Sequence, residues 1–227
     1  VVPDFVGATD VVSASAVKDL LTGTQPRAMR PDEITTIVEA YGEAARRCRE
    51  AGFDGVQMHS ANGYLMSQFL TPYTNRRGDG YGGTLEQRTR FGREVLAAIR
   101  SRVGRDFPVI IKMNGSDALP LRDGLATAEL AAAAKIMEGA GVDAVEISVG
   151  HYESGFPMVR GTFELCLRNM LEGSMAHLPP LRRTLLRVFR PLVTLACDLL
   201  WKGREGFNLD YTPAFKAVLK IPVICVG

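Results

Sequence analysis

Little in this sequence marks a disordered, fibrous, disulfide-rich or membrane-spanning protein. Charged residues make up 23% and hydrophobic residues 46% of its 227 residues, which is close to the average of soluble globular proteins. Lys plus Arg exceeds Asp plus Glu only by 27 to 25, so the net charge gives no drive toward nucleic acid or acidic membranes. No apolar run reaches the roughly 18 residues that a membrane span needs. The sequence therefore predicts one large or two small globular domains.

Cysteine is also scarce, and its four positions have neither CxxC nor zinc-ligand spacing: Cys48, Cys166, Cys197 and Cys225. This pattern predicts free thiols in a reducing compartment and no metal site. The segment 1–4 lacks the basic and apolar regions of a signal peptide. Together these features predict a cytoplasmic location.

Helical and strand patterns alternate along the chain. Helices are predicted at 31–51, 84–103, 127–138 and from an N-cap at Thr212, and buried strands are predicted at 53–58, 108–113, 142–149 and 221–226. This alternation predicts an α/β fold with a parallel sheet. The segment AGFDGV at 51–56 is echoed by AGVDAV at 140–145, and such repeated units suit a (β/α) barrel better than a switch-point sheet.

Residues able to do chemistry follow the first two predicted strands. His59 and Asn62 can both donate hydrogen bonds to one oxygen, and the phenol of Tyr64 can deliver a proton. Lys112, at the end of the next strand, would place a cation at the same carboxyl end of the predicted sheet. A histidine at a strand end is more often a structural hydrogen-bonding residue, so the residue types alone leave that alternative favoured.

A longer motif surrounds these residues. Residues 50–91, EAGFDGVQMHSANGYLMSQFLTPYTNRRGDGYGGTLEQRTRF, resemble the core signature of the old yellow enzyme family of NADH:flavin oxidoreductases. The segments VIIKMN at 109–114 and IPVICVG at 221–227 resemble strands of the same family. The resemblance implies a TIM-type (β/α)8 barrel that holds FMN at its carboxyl face and reduces activated alkenes, such as α,β-unsaturated carbonyl compounds, with NAD(P)H.

The resemblance also implies roles for individual residues. His59 and Asn62 would bind the carbonyl oxygen of the substrate, and Tyr64 would protonate the alkene carbon. Lys112 stands where many members have arginine beside the flavin, so the charge is kept and the planar fork is lost. Gly227 would begin the turn that approaches the FMN phosphate. The matched residues that we expect to shape the following loop and helix start are Arg76, Arg77, Asp79, Tyr81, Gly82, Gly83 and Arg88.

By this resemblance, the chain corresponds to barrel strands four to seven. We therefore expect residues 1–227 to form a partial FMN-binding TIM-barrel domain, an internal fragment that binds FMN weakly by itself. A non-catalytic remnant or interaction module of the same fold is the alternative. A metal-dependent barrel hydrolase using His59, Asp117 and His151 is disfavoured because no paired-histidine spacing is present.

A long insertion at about 150–206 separates the third and fourth strands. Its stretch 173–206 has six Lys or Arg and two acidic residues, a net charge of +4. Polar residues fall on one helical stripe: Arg183, Arg187, Arg190, Thr194, Asp198 and Lys202. Pro191 should divide the segment into two helices. A membrane-surface or quinone-access patch is one interpretation, and a helical lid or a subunit contact in a homo-oligomer is the favoured one.

Overall fold

A computed structural model of the protein describes residues 10–20, 23–119, 124–154, 163–173, 179–200 and 205–226. Within these ranges the strands are β1 (Val12–Ser13), β2 (Arg27–Ala28), β3 (Val56–Ser60), β4 (Val109–Asn114), β5 (Ala144–Ser148) and β6 (Val223–Cys225). Strands β3 to β6 form a parallel sheet in the order β3–β4–β5–β6, and β1 and β2 pair separately. Each strand lies beside the next one in the chain without reversal, which is the order of a barrel wall.

Helices separate these strands. They are α1 (Pro31–Glu50), α2 (Leu65–Leu70), α3 (Leu85–Arg88), α4 (Arg90–Val103), α5 (Thr127–Ala140), α6 (Phe163–Glu172), α7 (Pro180–Val188), α8 (Arg190–Leu200) and α9 (Thr212–Val218). The predicted α/β architecture of a partial (β/α) barrel is confirmed. Among the described residues, no helix combines the length and the apolar character needed to cross a membrane.

The sheet has two different faces because side chains alternate along each strand. On one face, Met58, Ile111, Met113, Val145 and Ile147 are at most 2% exposed. They join the main hydrophobic core, to which α1, α4 and α5 contribute apolar residues. The opposite face is lined by partly exposed side chains, many of them polar, and it carries the candidate site.

Helix ends follow local sequence signals. Thr84 caps α3 through a reciprocal box, in which its hydroxyl accepts from the Gln87 N–H at 3.3 Å and Gln87 Oε1 accepts from the Thr84 N–H at 3.0 Å. The two echoed segments both contain a helix end followed by a glycine at positive φ, Gly52 at 84° and Gly141 at 109°.

Two predicted helix bounds were wrong in detail. The single helix expected over 84–103 is interrupted at Thr89, whose hydroxyl donates to the Glu86 carbonyl at 2.9 Å, a local hydrogen bond of the kind that competes with helix geometry. The N-cap of α9 is Tyr211, and Thr212 is its first helical residue. Sequence periodicity missed the six-residue helix α2, which is too short to show a clear apolar stripe.

Candidate active site

The candidate site lies at the carboxyl ends of β3, β4 and β5. Strand register places His59 beside Lys112, and Lys112 beside Glu146, on the polar face of the sheet. These three side chains come from three successive strands, so the sheet itself fixes their spacing. Glu146 is part of the site although the sequence analysis did not single it out. The signal that could have found it is its position three residues before the end of the predicted strand 142–149, as an acidic residue within a largely apolar strand.

The imidazole of His59 and the phenol ring of Tyr64 lie together. Their ring centroids are 4.8 Å apart with an interplanar angle of 45°. Tyr64 is 57% exposed and occupies the N-cap of α2, so its phenol stands at the open rim of the molecule. His59 is half-buried, and among the described residues its Nδ1 has no hydrogen-bond partner. A buried polar atom without a partner costs free energy, and a ligand atom able to bond it would recover that energy.

A charge pair crosses the polar face next to His59. Lys112 Nζ lies 2.8 Å from Glu146 Oε1, and the second oxygen of Glu146 accepts from Gln57 Nε2 at 2.6 Å. The Lys112 and Glu146 side chains are 29% and 14% exposed, respectively. The Lys112 ammonium is therefore held and partly neutralised by a carboxylate on the neighbouring strand.

Burial and these charges shift two pKa values. Burial and the nearby ammonium of Lys112 lower the pKa of His59 below its ordinary value, and the carboxylate of Glu146 opposes this only in part. Burial raises the pKa of Glu146, but hydrogen bonds from Lys112 and Gln57 outweigh it, so the net pKa lies below its usual range. At neutral pH the imidazole is uncharged and carries one N–H.

Asn62 forms hydrogen bonds within the protein through both its side chain and its backbone. Its Nδ2 donates to the carbonyl of Val149 at 3.0 Å and of Gly150 at 3.3 Å, and its backbone N–H donates to Asn114 Oδ1 at 3.1 Å. Its φ of 60° lies in the left-handed region, which asparagine tolerates better than most residues. The structure therefore brings His59 and Tyr64 together and uses the Asn62 carboxamide to tie the end of β3 to the end of β5.

The residues of the metal-hydrolase alternative also have structural partners. Asp117 accepts from Asn114 Nδ2 at 2.9 Å and from the Leu125 N–H at 2.8 Å. His151 is 1% exposed and lies so close to Gly63 that a Cβ there would be 2.6 Å from its Nε2. In the ranges that the structure covers, no group of three or more His, Cys, Asp or Glu residues could hold a metal ion.

Other matched residues shape the surrounding loop. Arg77 pairs with Asp79 at 2.7 Å and donates to the carbonyls of Ala14 and Met29. Arg88 is 6% exposed and pairs with Glu129 at 2.6 Å. These contacts agree with the loop-shaping role expected for both arginines. Gly227, predicted to approach the FMN phosphate, lies outside the described residues.

The polar face has side chains of the kind that contact a flavin ring. Such a ring system needs hydrogen-bonding groups and a nearby cation along one side. The face offers the amide of Gln57 and the ammonium of Lys112, which lie on adjacent strands. These residues therefore fit an isoalloxazine ring. Lys112 would face the ring as a cation that is already paired with Glu146.

Comparison with known proteins identifies the class to which this fold and site belong. Residues 2–172 match the NADH:flavin oxidoreductase / NADH oxidase family. The chain is 40% identical over 148 residues to a "Metal reductase" of Desulforamulus reducens, covering 65% of this chain and 22% of that protein. It is 36% identical over 239 residues to the "Cinnamate reductase" of Clostridium sporogenes, covering all of this chain and 30% of that protein.

Solved structures agree with this assignment. An old yellow enzyme homologue from Zymomonas mobilis superposes with a TM-score of 0.56 and 28% identity over 65% of this chain and 44% of its own. The protein belongs to the NADH:flavin oxidoreductase / NADH oxidase family, as its sequence motifs predicted. The chain spans between a fifth and a third of the length of the two curated relatives above.

Proposed function

We propose that this chain supplies the substrate side of an FMN-dependent oxidoreductase, which takes hydride from NAD(P)H and reduces an alkene conjugated to a carbonyl or carboxyl group. The observation that carries the proposal is the pairing of His59 and Tyr64 at the carboxyl end of β3, where the buried Nδ1 of His59 has no hydrogen-bond partner among the described residues. A relative that covers the whole chain is named a cinnamate reductase, and cinnamate is an alkene of this kind.

His59 would polarise the substrate. Because its pKa is lowered, the imidazole is neutral at pH 7. It can therefore donate one hydrogen bond and keep its proton. A hydrogen bond from Nδ1 to the substrate oxygen withdraws electron density from the conjugated alkene, which makes the β-carbon a better hydride acceptor. This interaction grows stronger as negative charge develops on the oxygen, so it favours the transition state over the ground state.

Tyr64 would provide the proton. Its phenol stands at the rim beside His59. A substrate bound through its oxygen to His59 would have its α-carbon within reach of the hydroxyl group. Its exposure also lets the phenolate regain a proton from solvent after each turnover.

Lys112 would hold the cofactor side of the site. Bound FMN supplies a hydride acceptor and donor, and its reduced form carries negative charge that a cation stabilises. Lys112 can contribute that charge from β4, while Glu146 fixes the position of its ammonium group. Binding of the substrate oxygen by Asn62 stays a prediction from the resemblance, because its amide nitrogen now donates to backbone carbonyls.

The test separates the two half-reactions in a stopped-flow instrument, with the protein saturated with FMN. Tyr64→Phe should slow alkene reduction by about a hundredfold or more, since positioned proton donors contribute on that order, and should leave flavin reduction by NAD(P)H unchanged. Tyr81→Phe is the matched control, because that hydroxyl bonds Glu94 at 2.8 Å and belongs to the loop. Equal losses in both half-reactions of Tyr64→Phe would refute the proton-donor role, and an absence of flavin binding would favour the non-catalytic alternative.

A further inference from the structure

Helices α6, α7 and α8 form a helical segment with a small apolar cluster of its own. Leu167 and Leu171 of α6 are buried, and Leu186 and Val193 pack against them. The family match ends at residue 172, so α7 and α8 both lie beyond the matched residues. In the part of the chain that the structure describes, the apolar cluster joins the helix pair to α6 through Leu186 and Val193.

Helices α7 and α8 are joined with little loss of helical phase. The Phe189 N–H donates to the Leu185 carbonyl at 2.9 Å, and the Val193 N–H donates to the Phe189 carbonyl at 3.0 Å. Pro191 has no N–H to continue the series, which explains the break between the helices. Because hydrogen bonds of helical spacing lie on both sides of the break, a row of residues along α7 continues along α8.

Such a row exists, and it is apolar. Its members are spaced by four and three residues in turn and are between 46% and 75% exposed: Leu181, Leu185, Val188, Leu192, Leu195 and Leu199. At 3.6 residues per turn they fall within about 80° of the helical circumference. The predicted polar stripe lies on the other side, where Arg190 and Thr194 contact Glu164 of α6 at 3.0 and 3.1 Å. The helix pair thus directs Arg190 and Thr194, together with the apolar contacts to α6, inward and the aliphatic row outward.

The charge around this apolar row is positive. Arg182 is exposed at one margin of the row, and the exposed Arg187 and Asp198 both lie toward the other margin. The stretch 173–206 has a net charge of +4, and no acidic residue falls on the arc that the row occupies. An apolar strip with basic residues at its margins is complementary to a surface that has anionic groups outermost and an apolar layer behind them.

We propose that this apolar row docks on an anionic phospholipid bilayer, with α7 and α8 lying in the interface and their leucines inserted below the headgroups. A second copy of the chain is a poorer partner, because it would bring two segments of net charge +4 together. This proposal differs from the lid or subunit contact that the sequence analysis favours, and the experiment below separates the two. Such docking would place an alkene reductase where apolar substrates partition from the membrane.

Vesicle cosedimentation tests this surface. We expect the wild-type chain to pellet with vesicles of phosphatidylglycerol and phosphatidylcholine, and much less with phosphatidylcholine alone or at high salt. Leu192→Asp should lower the partition coefficient about tenfold or more by placing a carboxylate in the row. Arg182→Gln should lower binding to anionic vesicles by roughly fivefold and leave binding to neutral vesicles unchanged.

Leu209→Asp is the matched control for the leucine variant. Leu209 is 58% exposed and Leu192 is 61% exposed, but Leu209 lies outside the apolar row, so its substitution should leave vesicle binding unchanged. Circular dichroism would verify that both variants keep the fold. The proposal is overturned if the wild type stays in the supernatant with anionic vesicles or if both leucine variants bind equally. It is also overturned if sedimentation velocity shows a dimer that Leu192→Asp dissociates while lipid binding is absent.

Discussion

The two faces of the β3–β6 sheet are built from the same strands and differ in almost every physical property. One face is apolar, at most 2% exposed at its central residues, and covered by helices. The other is partly exposed and carries an imidazole, an ammonium and a carboxylate on neighbouring strands. The comparison teaches that packing on one face fixes the strand register, and the register then sets the spacing of reactive groups on the other face.

The largest expected effect is on the buried face. Ile111→Ala should lower the free energy of unfolding by about 3 kcal/mol, because it removes a 1%-exposed side chain and leaves a cavity in the core. The matched variant Ile110→Ala, on the half-exposed face of the same strand, should lower it by less than about 1.5 kcal/mol. Urea unfolding measures both, and equal losses would contradict the distinction between the faces.

A smaller stability effect is expected on the polar face. Lys112→Met should lower the free energy of unfolding by about 2 kcal/mol, since it removes a charged partner from a carboxylate that is only 14% exposed. The control is Arg93→Met, which breaks the 2.9 Å contact with Glu86, a carboxylate that is 61% exposed. Such surface pairs contribute roughly 0–1 kcal/mol. Indistinguishable losses would show that the Lys112–Glu146 pair behaves as a surface contact.

The four strands and their parallel order follow from the helix–strand alternation along the chain, whereas the strands were predicted to be buried without a distinction between their two faces. The polar face was only partly predictable. His59 and Tyr64 are close in sequence, so a strand end followed by a turn suffices to place them together. The Lys112–Glu146 pair joins residues on different strands, and its formation depends on register that no local pattern encodes.

The orientation of Asn62 shows a second limit of sequence reasoning. Its side chain bonds carbonyls at Val149 and Gly150, which approach it only after β3, β4 and β5 assemble. The resemblance predicts which residue type occupies this position, but it does not predict which groups the carboxamide bonds. The outward direction of the apolar row on α7 and α8 was also unpredictable from the sequence, because an amphipathic pattern does not show which side of a helix faces the protein.

The smallest and most specific effect concerns the charge balance at His59. Lys112→Met should raise the pKa of His59, since it removes the cation that lowers it, whereas Glu146→Gln should lower the pKa further by removing the opposing anion. As pH falls, protonation of His59 should therefore begin at a higher pH in the first variant and at a lower pH in the second. NMR titration of the histidine ring protons measures both, and shifts of the same sign would contradict this arrangement of charges.

The most direct test of the central claim is an NMR titration of the histidine ring nitrogens with FMN and then with cinnamate. If the polar face holds the reaction site, the His59 resonances, assigned with His59→Gln, shift on addition of these ligands. The resonances of His151, which is 1% exposed in the loop after β5, stay nearly unchanged. Unchanged His59 resonances at saturating FMN and cinnamate would place the reaction elsewhere and contradict the account.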